Sequence, residues 1–482
     1  MKLDNTTLLK NKCYVDGEWV SGHEGKTFDV TNPYDQSKII AVADFDAQDT
    51  DKAILAAEKA QKEWKKTTAG ERSKILRKWF DLMIEHKEEL GKILTLEQGK
   101  PLPEAIGEIV YGASFVEWFA EEAKRTYGDV IPGHQADKRI VTIKQPVGVV
   151  VAITPWNFPN AMITRKVGPA LAAGCAIVVK PAKYTPLSAL ALGVLAEQAG
   201  VPKGVFNVIT SSRTSEIGKA LTESSIVRKL SFTGSTAVGK QLIKACADTV
   251  KKVSMELGGN APFIVFEDAD VDKAVEGAIA SKYRNAGQTC VCSNRFFVHA
   301  RVYDEFTSKL KIAVSQLKVG NGMDEGVQIG PLIDQEAVNF VQNIVNDATE
   351  KGALIDLGGE VSKENKQLYM PTILSNVQKN MDVYTEEIFG PVIPIFRFET
   401  EEEVVEMAND TQYGLAAYFY GRDYQLVWRV AEALEYGMVG INTGMISTTV
   451  APFGGIKESG FGKEGSKYGI DEYLEMKYMC FG

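Results

Sequence analysis

The sequence predicts an α/β protein of two parallel-sheet bodies and a small β arm, on three observations. Val147–Thr154, Ala176–Lys180, Val205–Thr210 and Val227–Phe232 are short β-rich runs with helical stretches between them. Their spacing, roughly 25–30 residues, is that of βαβ units in a parallel sheet. A second series opens near Ala261 and runs through Phe296–His299, Val392–Phe398, Ala416–Tyr420 and Val439–Asn442. Finally, Gly128–Gln145, with Pro132 and Gly133, reads as an extended hairpin between two very different regions, as an arm leaving the body would. The alternating tail Glu472–Cys480 is expected to be a final strand paired with Arg139–Lys144.

Before the first series the chain reads as helical. Asp49 and Thr50 are the expected caps of a helix over Asp51–Lys65, which carries Ile54, Leu55 and Trp64 at apolar positions. Ser73–Leu96 and Pro103–Arg125 follow with similar amphipathic patterns. A chain of 482 residues is too long for one ordinary core, and length suggests about three domains. The boundaries expected are 1–128 with 148–255, then 257–444, and an arm from 129–146 with 471–482.

Composition narrows the function classes. Hydrophobic content of 45% with 24% charged residues is that of a soluble globular protein. A net charge of −9 offers no general attraction to nucleic acid or an anionic membrane. Met1–Lys12 is polar and lacks the apolar core of a signal peptide, and Val167–Val179 is too short and too interrupted to span a bilayer. Six scattered cysteines suit reduced thiols in the cytoplasm. Cys290 and Cys292 form C-x-C with no partner pair and only His299 nearby, so no zinc site is expected. None of the four histidines adjoins a nucleophile, so a base, if present, should be a carboxylate.

The chemistry concentrates in Lys282-Tyr283-Arg284-Asn285-Ala286-Gly287-Gln288-Thr289-Cys290-Val291-Cys292. Most free cysteines are small buried hydrophobes. Here Gly287 and Gln288 make a turn that should lift Cys290 clear of the packed body, where backbone N–H groups can steady a thiolate and an oxyanion. Pro155-Trp156-Asn157-Phe158-Pro159 directly follows a strand, where open α/β sheets bind ligands, and the Asn157 amide can donate to an oxyanion. Lys180-Pro181-Ala182-Lys183 ends the next strand with two cations, either a solvated pair or a ribose-phosphate site. Gly234–Lys240 matches a P-loop except that Gln241 stands where Ser or Thr would bind Mg²⁺. The strand, glycine turn and helix start still make an anion-friendly site.

Four motifs resemble those of aldehyde dehydrogenases: Asn285–Cys292, Pro155–Pro159, Met255-Glu256-Leu257-Gly258-Gly259-Asn260 and Glu387-Ile388-Phe389-Gly390-Pro391. The likeness runs over nearly the whole chain. Arg284 and the tail Gly465–Ile470 narrow it to enzymes similar to bacterial succinate-semialdehyde dehydrogenases. The resemblance implies a Rossmann-like dinucleotide-binding domain, an α/β catalytic domain and an oligomerisation arm. It makes Cys290 the nucleophile on the aldehyde carbon, Asn157 an oxyanion donor and Glu256 the base that activates water to hydrolyse the thioester. Thr154, Pro155, Trp156, Lys180, Lys183, Gly234, Ser235, Leu257, Glu387 and Phe389 would hold the cofactor. Family members that prefer NAD often carry Glu at the position of Lys183, so NADP is expected here, with NAD also used. Arg165, Arg284 and Ser447 would bind the substrate carboxylate, arginine because its planar donors suit one.

The expected reaction is succinic semialdehyde to succinate in GABA degradation, with glutarate semialdehyde the alternative substrate and a homodimer or homotetramer the expected assembly. Three rivals differ in testable ways. A coenzyme-A-acylating relative would not need Glu256, an ATP-driven switch would release phosphate with Mg²⁺, and a silent binding module would give no reduced nicotinamide. Cys292 reads either as a resolving thiol for Cys290 or as a small packed residue.

Overall fold

The structure, a computed structural model, describes residues 6–482; the first five residues, which open the polar Met1–Lys12 stretch, lie outside the described residues. Two sheets dominate. The eight-stranded one runs in the order Gly460–Phe461, Lys252–Glu256, Val227–Thr233, Val149–Ile153, Ala176–Lys180, Phe206–Val208, Cys13–Val15, Glu18–Val20. Its five middle strands are parallel and its outer ones antiparallel. The seven-stranded sheet runs Leu354–Leu357, Thr372–Ser375, Val392–Phe398, Ser293–His299, Ala261–Val265, Ala416–Tyr420, Met438–Ile441. All its pairs are parallel except the first.

The apolar runs are continuous because helices cover both faces of a parallel sheet. Along one strand, Val150 and Ala152 join one core cluster while Val149 and Val151 join another. The neighbouring strand does the same with Ile177 and Val179 against Ala176 and Val178. Successive side chains point to opposite faces, so one strand feeds two cores.

Register sets up the site. Ile153 is opposite both Lys180 and Phe232, and Thr233 is opposite Glu256. The carboxyl ends of these strands therefore finish level, and Thr154–Pro159, Pro181–Lys183, Gly234–Ser235 and Leu257–Asn260 leave from one edge. Leu474–Phe481 pairs antiparallel with Arg139–Pro146, from Leu474 opposite Pro146 to Phe481 opposite Arg139, and Val130–Ile131 adds a third strand. The arm and its pairing with the tail are as expected.

The N-terminal region differs from expectation. Before any α-helix it forms two hairpins, Cys13–Val15 with Glu18–Val20 and Thr27–Thr31 with Lys38–Ala43. The first long helix is Ala47–Trp64, capped by Asp46, whose carboxylate accepts the Asp49 N–H; Asp49 and Thr50 lie inside it. Ser73–Leu96 is two helices, Ala69–Glu85 and Lys87–Gln98. The former opens with a capping box between Thr68 and Glu71, satisfying two orphan donors at once. Leu354–Leu357 and Thr372–Ser375 are strands that the sequence reading did not foresee. Among the described residues, no helix is long and apolar enough to cross a membrane.

Candidate active site

A cavity of about 280 Å³ lies between the strand ends of the two sheets. Its wall holds Cys290, Asn157, Arg165, Arg284 and Ser447, and also Pro155, Trp156, Gly234, Ser235, Leu257, Glu387 and Phe389. Residues spread from 155 to 447 thus converge on one space. Glu256, Thr154, Lys180, Lys183 and Cys292 are the expected site residues that do not line it.

The nucleophile loop has an unusual backbone. Asn285 and Ala286 are consecutive left-handed residues (φ 53° and 56°), followed by Gly287 at φ 80°. A side chain at Gly287 would strike the Gly390 carbonyl, and one at Gly259 would strike that of Cys290. Gly287 thus lets the Cys290 loop meet the Phe389 loop backbone to backbone, and Gly259 lets Leu257–Asn260 meet Cys290 in the same way. Asn285 then stitches the loop down. Its Nδ2 donates to the carbonyls of Asn157 and Gln288, both at 3.1 Å, and its Oδ1 accepts from Gln98 Nε2 at 2.9 Å.

Asn157 is 6% exposed, and its Nδ2 donates to the Gln288 carbonyl at 3.0 Å. One amide hydrogen remains for an oxyanion. The Asn157 carbonyl also accepts from Lys100 Nζ at 2.7 Å, and Lys100 pairs at 2.7 Å with Glu108, both fully buried. This pair fixes the Asn157 backbone from below, and Lys100 was not a residue the sequence pointed to.

Cys290 is partly buried and lines the cavity. Burial pushes its thiol up to about 12, with Glu387 and Glu256 adding to the rise and Arg165 and Arg284 opposing it. Arg165 and Arg284 are thus the charges that favour a thiolate here, against burial. Cys292 is turned the other way: its thiol donates to the carbonyls of Ser281 (3.1 Å) and Lys282 (3.0 Å) at the end of the Val271–Lys282 helix. It is 4% exposed and off the cavity wall, so the geometry favours the packed reading over the resolving thiol.

Glu256 ends its strand behind the wall, 3% exposed, with Oε2 unpartnered. Burial first, and then the charge of Glu464, holds its carboxyl well above the usual range. Burial would raise Glu464 as well, but Arg165 and Lys166 outweigh it and keep that carboxyl below the usual range. Glu464 pairs with both cations. Like Lys100, it is a residue beside the site that the sequence reading missed.

Arg165 is 1% exposed, with its guanidinium carbon 3.9 Å from the centre of the Phe453 ring. Its Nε faces Glu464, while its Nη2 has no hydrogen-bond partner. Arg284 lies 5.2 Å over the Phe158 ring. Two cations and the Ser447 hydroxyl thus border the same space as the thiol.

The cofactor residues fit a dinucleotide. Ser235 is the N-cap of the Thr236–Ala247 helix, yet its side chain makes no capping bond, leaving hydroxyl and helix terminus open to a pyrophosphate. The Thr154 and Thr233 hydroxyls, at adjacent strand ends, are buried without partners. Glu387 accepts the Gly259 N–H at 3.1 Å, and burial raises it to about 7. Trp156 and Phe389 meet edge to face across the cleft, 5.7 Å apart. Lys180 is buried at its strand end and lowered to about 8 by burial and by Lys183, which is exposed. Lys240, in the P-loop-like segment, pairs with Glu458 at 2.7 Å and is not directed at a phosphate site.

Comparison with known proteins agrees with this geometry. The family model described as the aldehyde dehydrogenase family matches residues 19–479. The chain is 60% identical over 482 residues to the succinate-semialdehyde dehydrogenase [NADP(+)] GabD of Escherichia coli, covering 100% of both. It is 60% identical, again over 482 residues and all of both chains, to the glutarate-semialdehyde dehydrogenase of Pseudomonas aeruginosa. Its structure superposes on the crystal structure of an E. coli NADP-dependent enzyme with a TM-score of 0.99, at 60% identity and 100% coverage of each chain. A cavity with a lone cysteine, an amide donor and a dinucleotide cradle, matched along nearly the full length, places this chain in the aldehyde dehydrogenase family.

Proposed function

We propose that this enzyme oxidises succinic semialdehyde to succinate, as a step in GABA degradation, preferring NADP⁺ and accepting NAD⁺. The observation that carries the substrate is the joint presence of Arg165, Arg284 and Ser447 on the wall of the Cys290 cavity. Two guanidinium groups in a largely enclosed space favour an aldehyde whose far end is a carboxylate. Glutarate semialdehyde, one carbon longer, is the second reading, supported by the Pseudomonas relative.

The residues divide the work as follows. The Cys290 thiol gives its proton to water as Sγ bonds to the aldehyde carbon, and the C=O π pair moves to the carbonyl oxygen, whose charge Asn157 Nδ2 steadies. When bound, the nicotinamide cofactor supplies the two-electron acceptor that turns the adduct into a thioester. Glu256 takes a proton from water, which adds to the thioester and returns the thiol to Cys290. Because Glu256 stands behind the wall, its side chain must rotate toward Cys290 for that step. Lys183, exposed near the end of the Ala176–Lys180 strand, supports the NADP preference by attracting a 2′-phosphate.

We divide the chain into a dinucleotide-binding domain (1–128 and 148–255), a catalytic domain (257–444) and an arm (129–146 and 471–482). The arm exposes Val130, Ile131, Met476, Tyr478 and Phe481, which supports pairing of copies as a homodimer or homotetramer. The net charge of −9 and scattered cysteines support a cytoplasmic enzyme. The deciding assay measures reduced-cofactor formation with succinic semialdehyde, glutarate semialdehyde and butanal, each with NADP⁺ and NAD⁺. Succinic semialdehyde with NADP⁺ should give the highest kcat/KM. Butanal matching it would defeat the substrate reading.

A further inference from the structure

We infer that Tyr111 is a neutral donor to the carboxylate end of the substrate and a determinant of specificity beside Arg165, Arg284 and Ser447. The inference rests on reading the two arginines as carboxylate ligands, and adds a group that neither motif nor spacing revealed.

Tyr111 lies in the Leu102–Glu122 helix and lines the same cavity as Cys290. Its hydroxyl oxygen is sealed from solvent and has no hydrogen-bond partner. Buried hydroxyls ordinarily find one, so an orphan on a cavity wall points to a partner brought by a ligand. The ring cannot easily turn away. It packs edge-on against Phe115, 5.0 Å off, and Phe115 in turn lies 5.6 Å from the Arg165 guanidinium carbon.

The ligand would be an anion at its far end. Tyr111 and Ser447 both line the cavity and also the outer depression beside it. Ser114 ties them together: its Oγ donates to the Tyr111 carbonyl at 2.7 Å and shares a hydrogen bond with Thr449 Oγ1 at 2.5 Å. The helix carrying Tyr111 thus holds the loop carrying Ser447. A carboxylate presents about four lone-pair sites. Arg165 turns Nε to Glu464 in an ion pair and donates Nη1 to Met162 Sδ, so its Nη2, Arg284, Ser447 and Tyr111 are the donors left to fill them. A phenol adds a hydrogen bond to the anion without adding charge to the pocket.

Tyr111→Phe deletes one oxygen that hydrogen-bonds to no described protein group, so the fold is not at stake. Steady-state kinetics would be measured on succinic semialdehyde and on butanal, with succinate as a dead-end inhibitor and Arg284→Ala in parallel. The expected result is an about 10–100-fold loss of kcat/KM on the semialdehyde, the range of a hydrogen bond to a charged group. The loss should fall in KM, succinate inhibition should weaken by the same factor, and butanal should be unchanged. If the Tyr111→Phe loss is absent, or equal on both aldehydes, while Arg284→Ala remains selective, Tyr111 is not a ligand. If Arg284→Ala is itself unselective, the carboxylate pocket fails and this inference falls with it.

Discussion

Replacing Arg165 with methionine separates two jobs held by one buried cation. Its Nε faces Glu464 and its guanidinium covers Phe453 at 3.9 Å, while Nη2 is free for a substrate carboxylate. Methionine keeps much of the volume and the contact with Phe453, so the loss is chiefly electrostatic. Breaking one side of a buried pair costs about 3–5 kcal/mol of stability. The lower end is expected, because Lys166 remains on Glu464 at 2.5 Å. Separately, the carboxylate loses a desolvated partner, worth about 2–5 kcal/mol in kcat/KM for succinic semialdehyde. Butanal carries no charge and should lose much less. The double variant Arg165→Met/Glu464→Gln also takes the carboxylate from buried Lys166, so it should be less stable than the single variant and no more active on the semialdehyde. Urea denaturation and initial rates on both aldehydes read the two effects independently. Equal losses on both aldehydes, or a double variant as stable as the single one, would refute the reasoning.

The remaining expectations concern the chemistry, the cofactor and the second thiol. Asn157→Ala should lower kcat by about 10²–10³ as an oxyanion donor is lost, and an unchanged kcat would remove Asn157 from the mechanism. Burial and the charge of Glu464 hold the Glu256 carboxyl well above the usual carboxylate range, and only its ionised form is a base, so hydrolysis should accelerate as pH rises above that range. Glu256→Gln should flatten that limb and leave a single burst of reduced cofactor, so sustained turnover with an unaltered profile would exclude it as the base. Lys183→Glu should move preference toward NAD⁺ by repelling the 2′-phosphate, and a wild type that already prefers NAD⁺ would show that Lys183 does not read it. Wild type and Cys292→Ala should be inactivated by mild peroxide alike, with dithiothreitol recovering both equally; recovery of wild type alone would reinstate Cys292 as a resolving thiol.

Legibility followed burial. Ala176–Lys180, Val392–Phe398 and Ala416–Tyr420 are strands over the residues the sequence suggested, because strands buried on both faces are unbroken apolar runs. The hairpins over 13–43 escaped because their strands are three to six residues long and partly exposed, with little alternation to read. The break between Glu85 and Lys87 falls at His86, with no glycine or proline to mark it. In the site, residues lying in compact motifs were found and those acting across the chain were not. Glu464 sits in Gly462-Lys463-Glu464-Gly465, where nothing local says it is buried, and the Lys166 it pairs with is 298 residues away. Tyr111 looks like any aromatic on an amphipathic helix. Its significance lies in an oxygen left without a partner, which only coordinates reveal.

The asparagine stitch at residue 285 has a mechanical consequence. Gln98 and Asn157 belong to the body of the eight-stranded sheet, whereas Asn285, Gln288 and Cys290 belong to that of the seven-stranded one. Asn285 clasps Gln98 on one side and the carbonyls of Asn157 and Gln288 on the other, and Asn157 returns a bond to Gln288. Three of these hydrogen bonds cross at one point, as a pivot pin between two plates, and the fourth braces the pin within its own plate. Were the plates to rock, the spacing of amide donor and thiol would change least, since points near a pivot move least. The residues farther out, where Lys183 would grip the cofactor, would move through the larger arc. A molecule built this way can let its spent cofactor go without loosening the geometry that the next aldehyde must meet.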